Sequence, residues 1–366
     1  MFESTCLIIC LLLCLCLICN NMVQYYILEM LYSNTAPSEE SDNYKKNISD
    51  ILYDKKTGLE DTISVPIEDK CKLSKVRTYD YHDIKDRLNE KYFSDITNGH
   101  TIPVLFKNVF SENELAQFSY ESIIKNHGDV VVEAISSDKH NYGDETLKIT
   151  FKDYIKEINS GKKYYLTVNN SLANALNISE QDKFYKTIFD DTKAGIKNMF
   201  VGNRHSFTHL HSELSASCAL QLYGIKKWYL IDPEYSSYLH SITDKDNIYH
   251  MAAYGFSMNN EIDGIPRYEI ICEQGDFLFV PPWFWHETLN LTDNNVMFSF
   301  RPALFVAPYK TNHLYTLMGL KNSLGFNDLT FPYLVKHGLV DPEKDTVIQS
   351  IKQIHNRVPS KLMIKK

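Results

Sequence analysis

The sequence predicts a mainly β fold, a sandwich or barrel of short strands with flanking helices. Short runs rich in β-branched and aromatic residues recur along residues 130–300, bounded by Gly, Pro, Asn or Asp, and no helical pattern separates them. The 366 residues are 44% hydrophobic and 13% aromatic, which suffices for a large core. The predicted strands are Val130–Ile135, Tyr164–Val168, Asn198–Gly202, Cys218–Tyr223, Lys227–Ile231, Tyr268–Cys272, Phe277–Val280 and Val296–Phe300.

Helices are predicted on both sides of the strand region. Ser111 followed by Glu114 has the form of a capping box, and an apolar period continues to Ile124 before the polar stop at Asn126–Gly128. This pattern predicts one helix over 111–124. Helical patterns return at Asn312–Leu320 and Thr346–Ile354.

The first 32 residues form an N-terminal apolar segment unlike the rest of the chain. Cys6–Cys19 is an unbroken apolar run, shorter than the about 20 residues that cross a bilayer as a straight helix. Such a run is typical of a signal peptide, and a helix continuing to Met30 would instead make an uncleaved signal anchor. Both interpretations predict entry into the secretory pathway, in the lumen of the endoplasmic reticulum or anchored facing it. The membrane is expected as a partner only through this segment.

The cysteines and glycosylation triplets agree with a secretory protein. Outside the apolar segment the chain has Cys71, Cys218 and Cys272, for which buried free thiols and a Cys71–Cys272 disulfide are both open interpretations. Four N-x-S/T triplets predict a glycoprotein. Occupancy is expected at Asn47 and not at Asn290, which shares the face of His286 on a strand; the other two are Asn169 and Asn177.

The chain divides into four predicted segments. Residues 33–70 are polar and predict a flexible linker, residues 71–302 a folded domain, and residues 303–366 a helical extension that we expect to form a homodimer. The net charge of −8 and the isoelectric point near 5.9 argue against a nucleic-acid partner, because such proteins carry a basic face.

Two segments contain candidate metal ligands. His211 and Glu213 lie two residues apart, so on a strand they share one face, and His209 with His211 is the alternative pair. All three cannot meet on a straight strand, because His209 and Glu213 would be roughly 13 Å apart. The third ligand is predicted to be His286, in GDFLFVPPWFWHETLNL. Two histidines and one carboxylate leave open positions on the metal, as in non-haem iron(II) oxygenases.

The ordered motifs of this region resemble those of JmjC/cupin-like oxygenases. THLHSE precedes an apolar strand and GIKKWYLIDP, and GDFLFVPPWFWH follows, matching the family's pattern in residue type and spacing over about residues 164–302. The resemblance implies a double-stranded β-helix, or jelly roll. It also implies that His211, Glu213 and His286 hold Fe(II), while His209 stands where the family usually has proline.

The same resemblance implies four co-substrate contacts. Lys226, two residues after Gly224, matches the lysine that pairs with the distal carboxylate of 2-oxoglutarate. Thr208 matches a hydroxyl that helps to bind the same co-substrate, and Tyr165 matches a tyrosine that closes the pocket from an earlier strand, with Tyr164 as an alternative to Tyr165. Ser217 stands where related hydroxylases often carry Asn.

The implied activity is that of a dioxygenase using Fe(II), 2-oxoglutarate and O2. Hydroxylation of a side chain in a protein or peptide is the expected reaction, because the chain shows no chromatin-reader pattern and its N-terminus points to the secretory pathway. Two other hypotheses remain open. One is a catalytically inactive lumenal JmjC-fold binding or scaffold protein, and the other is a three-histidine cupin metal enzyme.

Overall fold

The computed structural model describes residues 73–138, 145–189, 196–239, 242–243, 249–252, 255–256, 265–304, 306–312 and 316. The predicted apolar segment, the linker, Cys71, the helix Thr346–Ile354 and most of Asn312–Leu320 lie outside these residues. Among the residues described, no helix is long and apolar enough to cross a membrane.

The described strands form two sheets, one of seven strands and one of nine, with mainly antiparallel pairing. The order in the seven-stranded sheet is β1-β13-β10-β15-β8-β12-β11. These strands are β1 Leu73–Ser74, β8 Phe207–Glu213, β10 Lys226–Ile231, β11 Ile242–Thr243, β12 Tyr249–Met251, β13 Arg267–Cys272 and β15 Trp285–Asn290.

The order in the nine-stranded sheet is β2-β3-β14-β9-β16-β7-β6-β4-β5. Its strands are β2 Arg77–Asp80, β3 Val104–Lys107, β4 Val131–Ser136, β5 Thr146–Thr150, β6 Tyr164–Asn169, β7 Ile196–Gly202, β9 Ser217–Tyr223, β14 Phe277–Val280 and β16 Asn295–Arg301. Consecutive strands from β7 to β10 alternate between the two sheets, as in a jelly roll.

Helices cover the outer face of the nine-stranded sheet. They are α1 Tyr81–Ile84, α2 Glu90–Ile96, α3 Glu112–Leu115, α4 Tyr120–His127, α5 Phe151–Asn159, α6 Asn170–Ala175, α7 Ser179–Ile188 and, after the last strand, α8 Ala307–Thr311. Two 3₁₀ turns, Ala116–Phe118 and Pro233–Leu239, complete the described elements.

Alternating residues of the strands pack into two separate cores, one beneath the helices and one between the two sheets. On β16, Phe298 and Phe300 point outward and pack with the helices, whereas Met297 points between the sheets. The interior between the sheets also receives Phe200 from β7 and Trp228 from β10. This division means that polar residues in phase with Met297, Phe200 or Trp228 face the enclosed interior.

The predicted mainly β fold with flanking helices is confirmed. Each of the predicted strands coincides with an observed strand to within two residues at either end. The strand expected to hold His286 and Asn290 is also present, as Trp285–Asn290, and the strands that the sequence did not predict include Arg77–Asp80, Val104–Lys107 and Thr146–Thr150.

Two expectations were wrong. The helix predicted over 111–124 is divided, because Ser119 is extended and its side chain caps α4; the capping box of Ser111 and Glu114 does form. Helices α5, α6 and α7 interrupt the strand series that was expected to be continuous. Of the two open interpretations of the cysteines, buried free thiols are observed for Cys218 and Cys272, whereas Cys71 lies outside the described residues.

Gly202 tests the packing between β7 and β6. A Cβ at this position would lie 2.6 Å from Cδ2 of Tyr165 and 2.9 Å from Oγ of Ser206, and Tyr165 is fully buried. We expect Gly202→Ala to lower the free energy of unfolding by about 1–3 kcal/mol, the usual cost of overpacking. Urea denaturation measures this change, and an unchanged midpoint and slope would show that the ring has room to move.

Candidate metal centre

A β-bulge in β8 decides which of its side chains face the interior. On its neighbour β15, His286 pairs with His211 and Thr288 pairs with Thr208, so one intervening residue on β15 opposes two on β8. Thr208 and His211 therefore share a face although they lie three residues apart. Their contacts agree: the hydroxyls of Thr208 and Thr288 share a 2.8 Å hydrogen bond, and the rings of His211 and His286 lie 4.1 Å apart.

His211, Glu213 and His286 converge on one point. One ligand atom from each residue lies within 4.8 Å of the others, and all three residues are buried. Nδ1 of His211 lies 2.7 Å from the carbonyl oxygen of His209, and Nδ1 of His286 lies 2.9 Å from that of Phe284. Because a carbonyl only accepts, each Nδ1 carries the proton, and each Nε2 keeps its lone pair for a metal.

Burial keeps both histidines neutral. Desolvation lowers the pKa of His286 to about 4, and it lowers the pKa of His211 well below its usual value, with the neighbouring His286 and Arg301 adding to the effect. Neutral imidazole is the form that binds metals, so both rings are ready to ligate at neutral pH.

Glu213 has one oxygen bound and one free. Its Oε2 lies 2.7 Å from Nη1 of Arg301, whereas Oε1 is buried with no hydrogen-bond partner in the described structure. Burial raises the pKa of the Glu213 carboxyl, and Arg301 opposes this shift, followed by a smaller effect of Ser215. A buried carboxylate oxygen without a partner is costly, and a cation between the two imidazoles would satisfy it.

His209, the alternative ligand, is turned away by the bulge. Its Nε2 donates a 2.7 Å hydrogen bond to the carbonyl oxygen of Ala252. Its ring packs against the backbone at Gly255: a Cβ added to this glycine would lie 3.1 Å from Nδ1 of His209 and 2.6 Å from Oε2 of Glu287. Within the described part of the chain, the convergent metal-ligand group contains His211, Glu213 and His286 and does not contain His209.

Lys226 is a buried cation at the opposite end of the interior. Its ammonium donates a 2.7 Å hydrogen bond to the hydroxyl of Tyr165 and lies 5.8 Å from the ring centre of Phe200. No described carboxylate forms an ion pair with it, and desolvation lowers its pKa to about 7. Tyr164, the alternative to Tyr165, instead points outward and bonds to Glu145. The site therefore presents an unneutralised cation to any anion that enters.

The two predicted hydroxyl contacts lie on opposite sheets. Thr208 is on β8 with its hydroxyl on Thr288, close to the histidines along the strand. Ser217 is on β9, where its hydroxyl shares a 3.2 Å hydrogen bond with Ser299 of β16. Both are buried in the interior, and their described hydrogen bonds are to threonine and serine hydroxyls rather than to Lys226.

The sequence pattern of the cupin-like domain matches residues 90–300, which is more than half of the chain. The chain belongs to the cupin-like domain family. This finding confirms the JmjC-type resemblance and the jelly-roll fold. The matched range lies inside the predicted domain 71–302 and includes each of the predicted site residues, whereas Arg301 follows directly after its last residue.

One relative of this cupin-like protein is tRNA wybutosine-synthesizing protein 5 of Danio rerio. The two sequences are 26% identical over 112 residues, which cover 31% of this chain and 31% of the relative. The alignment thus spans less than a third of the relative's own length, and it supports a common domain rather than a common substrate.

The residues of this cupin-like domain fit a divalent cation and a short dianion. Two neutral imidazoles and one carboxylate are the donor set of non-haem Fe(II) sites, and they leave coordination positions open. The free oxygen of Glu213 suits the cation, and the unpaired ammonium of Lys226 suits a carboxylate.

Sequence reasoning missed two polar residues of the interior. Arg301, the last residue of β16, holds Glu213. Asn198 is in phase with Phe200 on β7 and fully buried, and within the described structure neither of its side-chain polar atoms has a hydrogen-bond partner. Both residues face the interior because of the alternation along their strands, and both lie outside the motifs that identified the other site residues.

The two histidines of β8 give a direct test of the bulge. We expect His211→Ala to abolish tight Co(II) or Fe(II) binding, because it removes one of three ligands, whereas the His209→Ala variant should bind metal within about threefold of the wild type. The difference is measured by titrating metal-free protein and following the visible absorption of bound Co(II). Equal losses in both variants would contradict the placement of His209.

Proposed function

We propose that this cupin-like protein is an Fe(II)- and 2-oxoglutarate-dependent oxygenase that hydroxylates a protein side chain. The observation that carries the proposal is the convergence of His211, Glu213 and His286, with one unsatisfied carboxylate oxygen among them. The unneutralised Lys226 in the same interior supports 2-oxoglutarate as the co-substrate.

Bound Fe(II) would couple O2 to the oxidative decarboxylation of 2-oxoglutarate, giving succinate and carbon dioxide with oxygen inserted into a substrate C–H bond. His211 and His286 would hold it through Nε2, and Glu213 through Oε1. The hydrogen bonds from Nδ1 of both histidines to backbone carbonyls fix the orientation of the two rings before the metal binds.

Lys226 and Tyr165 would bind the distal carboxylate of 2-oxoglutarate. In the pairing of β10 with β15, Leu230 lies opposite His286 and Lys226 lies opposite Asn290. Lys226 is therefore four residues along the sheet from the position of His286, and both side chains face inward. That is roughly 13 Å at about 3.3 Å per residue, a span that two side chains and a short diacid can bridge. The ring of Phe200 beside the ammonium and the ring of Trp228, 6.0 Å from that of His286, exclude water.

A protein side chain is our proposed substrate class. The net charge of −8 disfavours a polyanionic partner, and the apolar run Cys6–Cys19 supports entry into the secretory pathway, where we propose that the enzyme acts. The competing class is tRNA, which appears in the name of the Danio rerio relative. Mass spectrometry of secretory proteins from cells with and without the enzyme, beside nucleoside analysis of their tRNA, separates the two.

Succinate release by variants of the metal site and of the two β10 lysines tests the co-substrate site. Purified protein with Fe(II), ascorbate and 2-oxoglutarate should release succinate, and His211→Ala and Lys226→Ala should abolish the release at low co-substrate. Losing one partner of a buried charge pair costs about 2–5 kcal/mol of binding. Lys227→Ala is the matched control, because Lys227 faces outward and pairs with Glu269, and it should retain activity.

The outcome of this assay also decides between the open hypotheses. Metal uptake without 2-oxoglutarate binding would favour a metal enzyme of another cupin type. Neither metal uptake nor succinate release would favour a binding or scaffold protein, and the oxygenase proposal would fail in both cases.

The pH dependence of co-substrate affinity follows from Lys226. Its pKa of about 7 in the unliganded protein means that the binding form, the ammonium, predominates only below pH 7. The carboxylates of 2-oxoglutarate are ionised throughout the range from about pH 6 to 9, and His286, with a pKa of about 4, stays neutral there.

Affinity for 2-oxoglutarate should therefore be highest near pH 6 and fall above pH 7 by up to roughly tenfold per pH unit. Calorimetric titration of Mn(II)-loaded protein measures it. Lys226→Arg keeps its charge at every pH in this range and should flatten the profile. A steep fall that persists in Lys226→Arg would assign the titration to another group.

A further inference from the structure

We propose that Arg301 is a positioning residue for the metal centre, which commits Oε2 of Glu213 to the guanidinium and reserves Oε1 for the metal. This inference rests on the proposed metal site and extends it to a residue outside the histidine motifs. Arg301 ends β16 in the nine-stranded sheet, whereas the three ligands lie on β8 and β15 of the other sheet. The pair therefore links the two walls of the interior.

The direction of the Arg301 side chain follows from its strand. Phe298 and Phe300 pack outward against the helices, so Met297, Ser299 and Arg301 alternate with them and face inward. The guanidinium is 17% exposed and the Glu213 side chain 5%, with 2.7 Å between Nη1 and Oε2. Nε of Arg301 is buried and has no partner in the described structure, so this guanidinium is held chiefly by Glu213.

The length of the Glu213 side chain allows it to contact both Arg301 and a metal bound between the two imidazoles. A carboxylate that bonds to a guanidinium on one sheet and to a metal between two imidazoles on the other must reach across the interior. Aspartate, one methylene shorter, would have to give up one of the two contacts. The pair therefore accounts for glutamate at this position through geometry rather than through substrate choice.

Holding Oε2 also fixes the coordination mode. A carboxylate without a partner can turn and bind a cation through both oxygens. With Oε2 on Arg301, Glu213 offers a single donor, which preserves the open positions that the proposed reaction needs. Hydrogen-bond partners of metal-binding carboxylates commonly change metal affinity or activity by about 10–100-fold.

Co(II) titration of the metal-free full-length protein tests the proposal without relying on turnover. Arg301→Met should weaken Co(II) binding by about 10–100-fold and change the shape and intensity of the visible absorption, because the coordination changes. Arg301→Lys, which can still donate to Oε2, should recover most of the affinity and the wild-type spectrum. Arg267→Met is the matched control, because Arg267 forms a 2.8 Å pair with Glu269 at similar exposure, 11%, on the outer face.

Combining substitutions separates a role through Glu213 from a general loss of stability. In a Glu213→Ala background, which should keep only weak residual Co(II) binding, Arg301→Met should not weaken that binding further, because the side chain through which Arg301 acts is gone. An equal loss in both backgrounds, or wild-type affinity and spectrum in Arg301→Met, would overturn the proposal. If Arg301→Met does not fold, a wild-type spectrum in Arg301→Gln with weakened binding would also overturn it.

The same experiment distinguishes failure of the proposed metal site from failure of the role of Arg301. Wild-type protein that takes up no Co(II) would refute the metal site itself. Uptake by the wild type that is unaltered in the Arg301 variants would refute only the role of Arg301.

Discussion

The bulge in β8 is the constraint on which the interior depends. Two residues, His209 and Leu210, oppose the single Glu287 of β15, so the facing pattern of the strand shifts by one residue. Without this shift, Thr208 and His211 would face opposite sides of the sheet. With it, the hydroxyl and the imidazole both face inward while His209 bonds to the carbonyl of Ala252. One backbone irregularity thus selects the ligand set.

Two buried charges then give the interior its polarity. Lys226 lies at one end, where its described hydrogen bond is to the hydroxyl of Tyr165, and Glu213 lies at the other between Arg301 and two neutral imidazoles. Buried charges are expensive unless they are paired, so an interior with an unneutralised ammonium and an unsatisfied carboxylate oxygen favours binding of a dianion and a cation. The apolar walls strengthen both interactions by excluding water.

Local patterns predicted the strands well, because burial on one face leaves a period of two in the sequence. The same reasoning placed His211 with Glu213 and proposed His286 as the third ligand, and the resemblance added Lys226. It could not exclude His209, since the bulge arises from pairing with a strand more than seventy residues away. Arg301 had no local pattern at all. Helix α5 is different: Phe151, Tyr154, Ile155 and Ile158 are buried at helical spacing after a Thr150 cap, and this pattern was readable.

A crystal structure of the protein with Mn(II) and 2-oxoglutarate, with the metal located by anomalous scattering, tests the central claim most directly. The account predicts Mn(II) bound by Nε2 of His211, Oε1 of Glu213 and Nε2 of His286, with a carboxylate of the co-substrate on Lys226. Metal bound through His209, or a co-substrate carboxylate that does not contact Lys226, would contradict it.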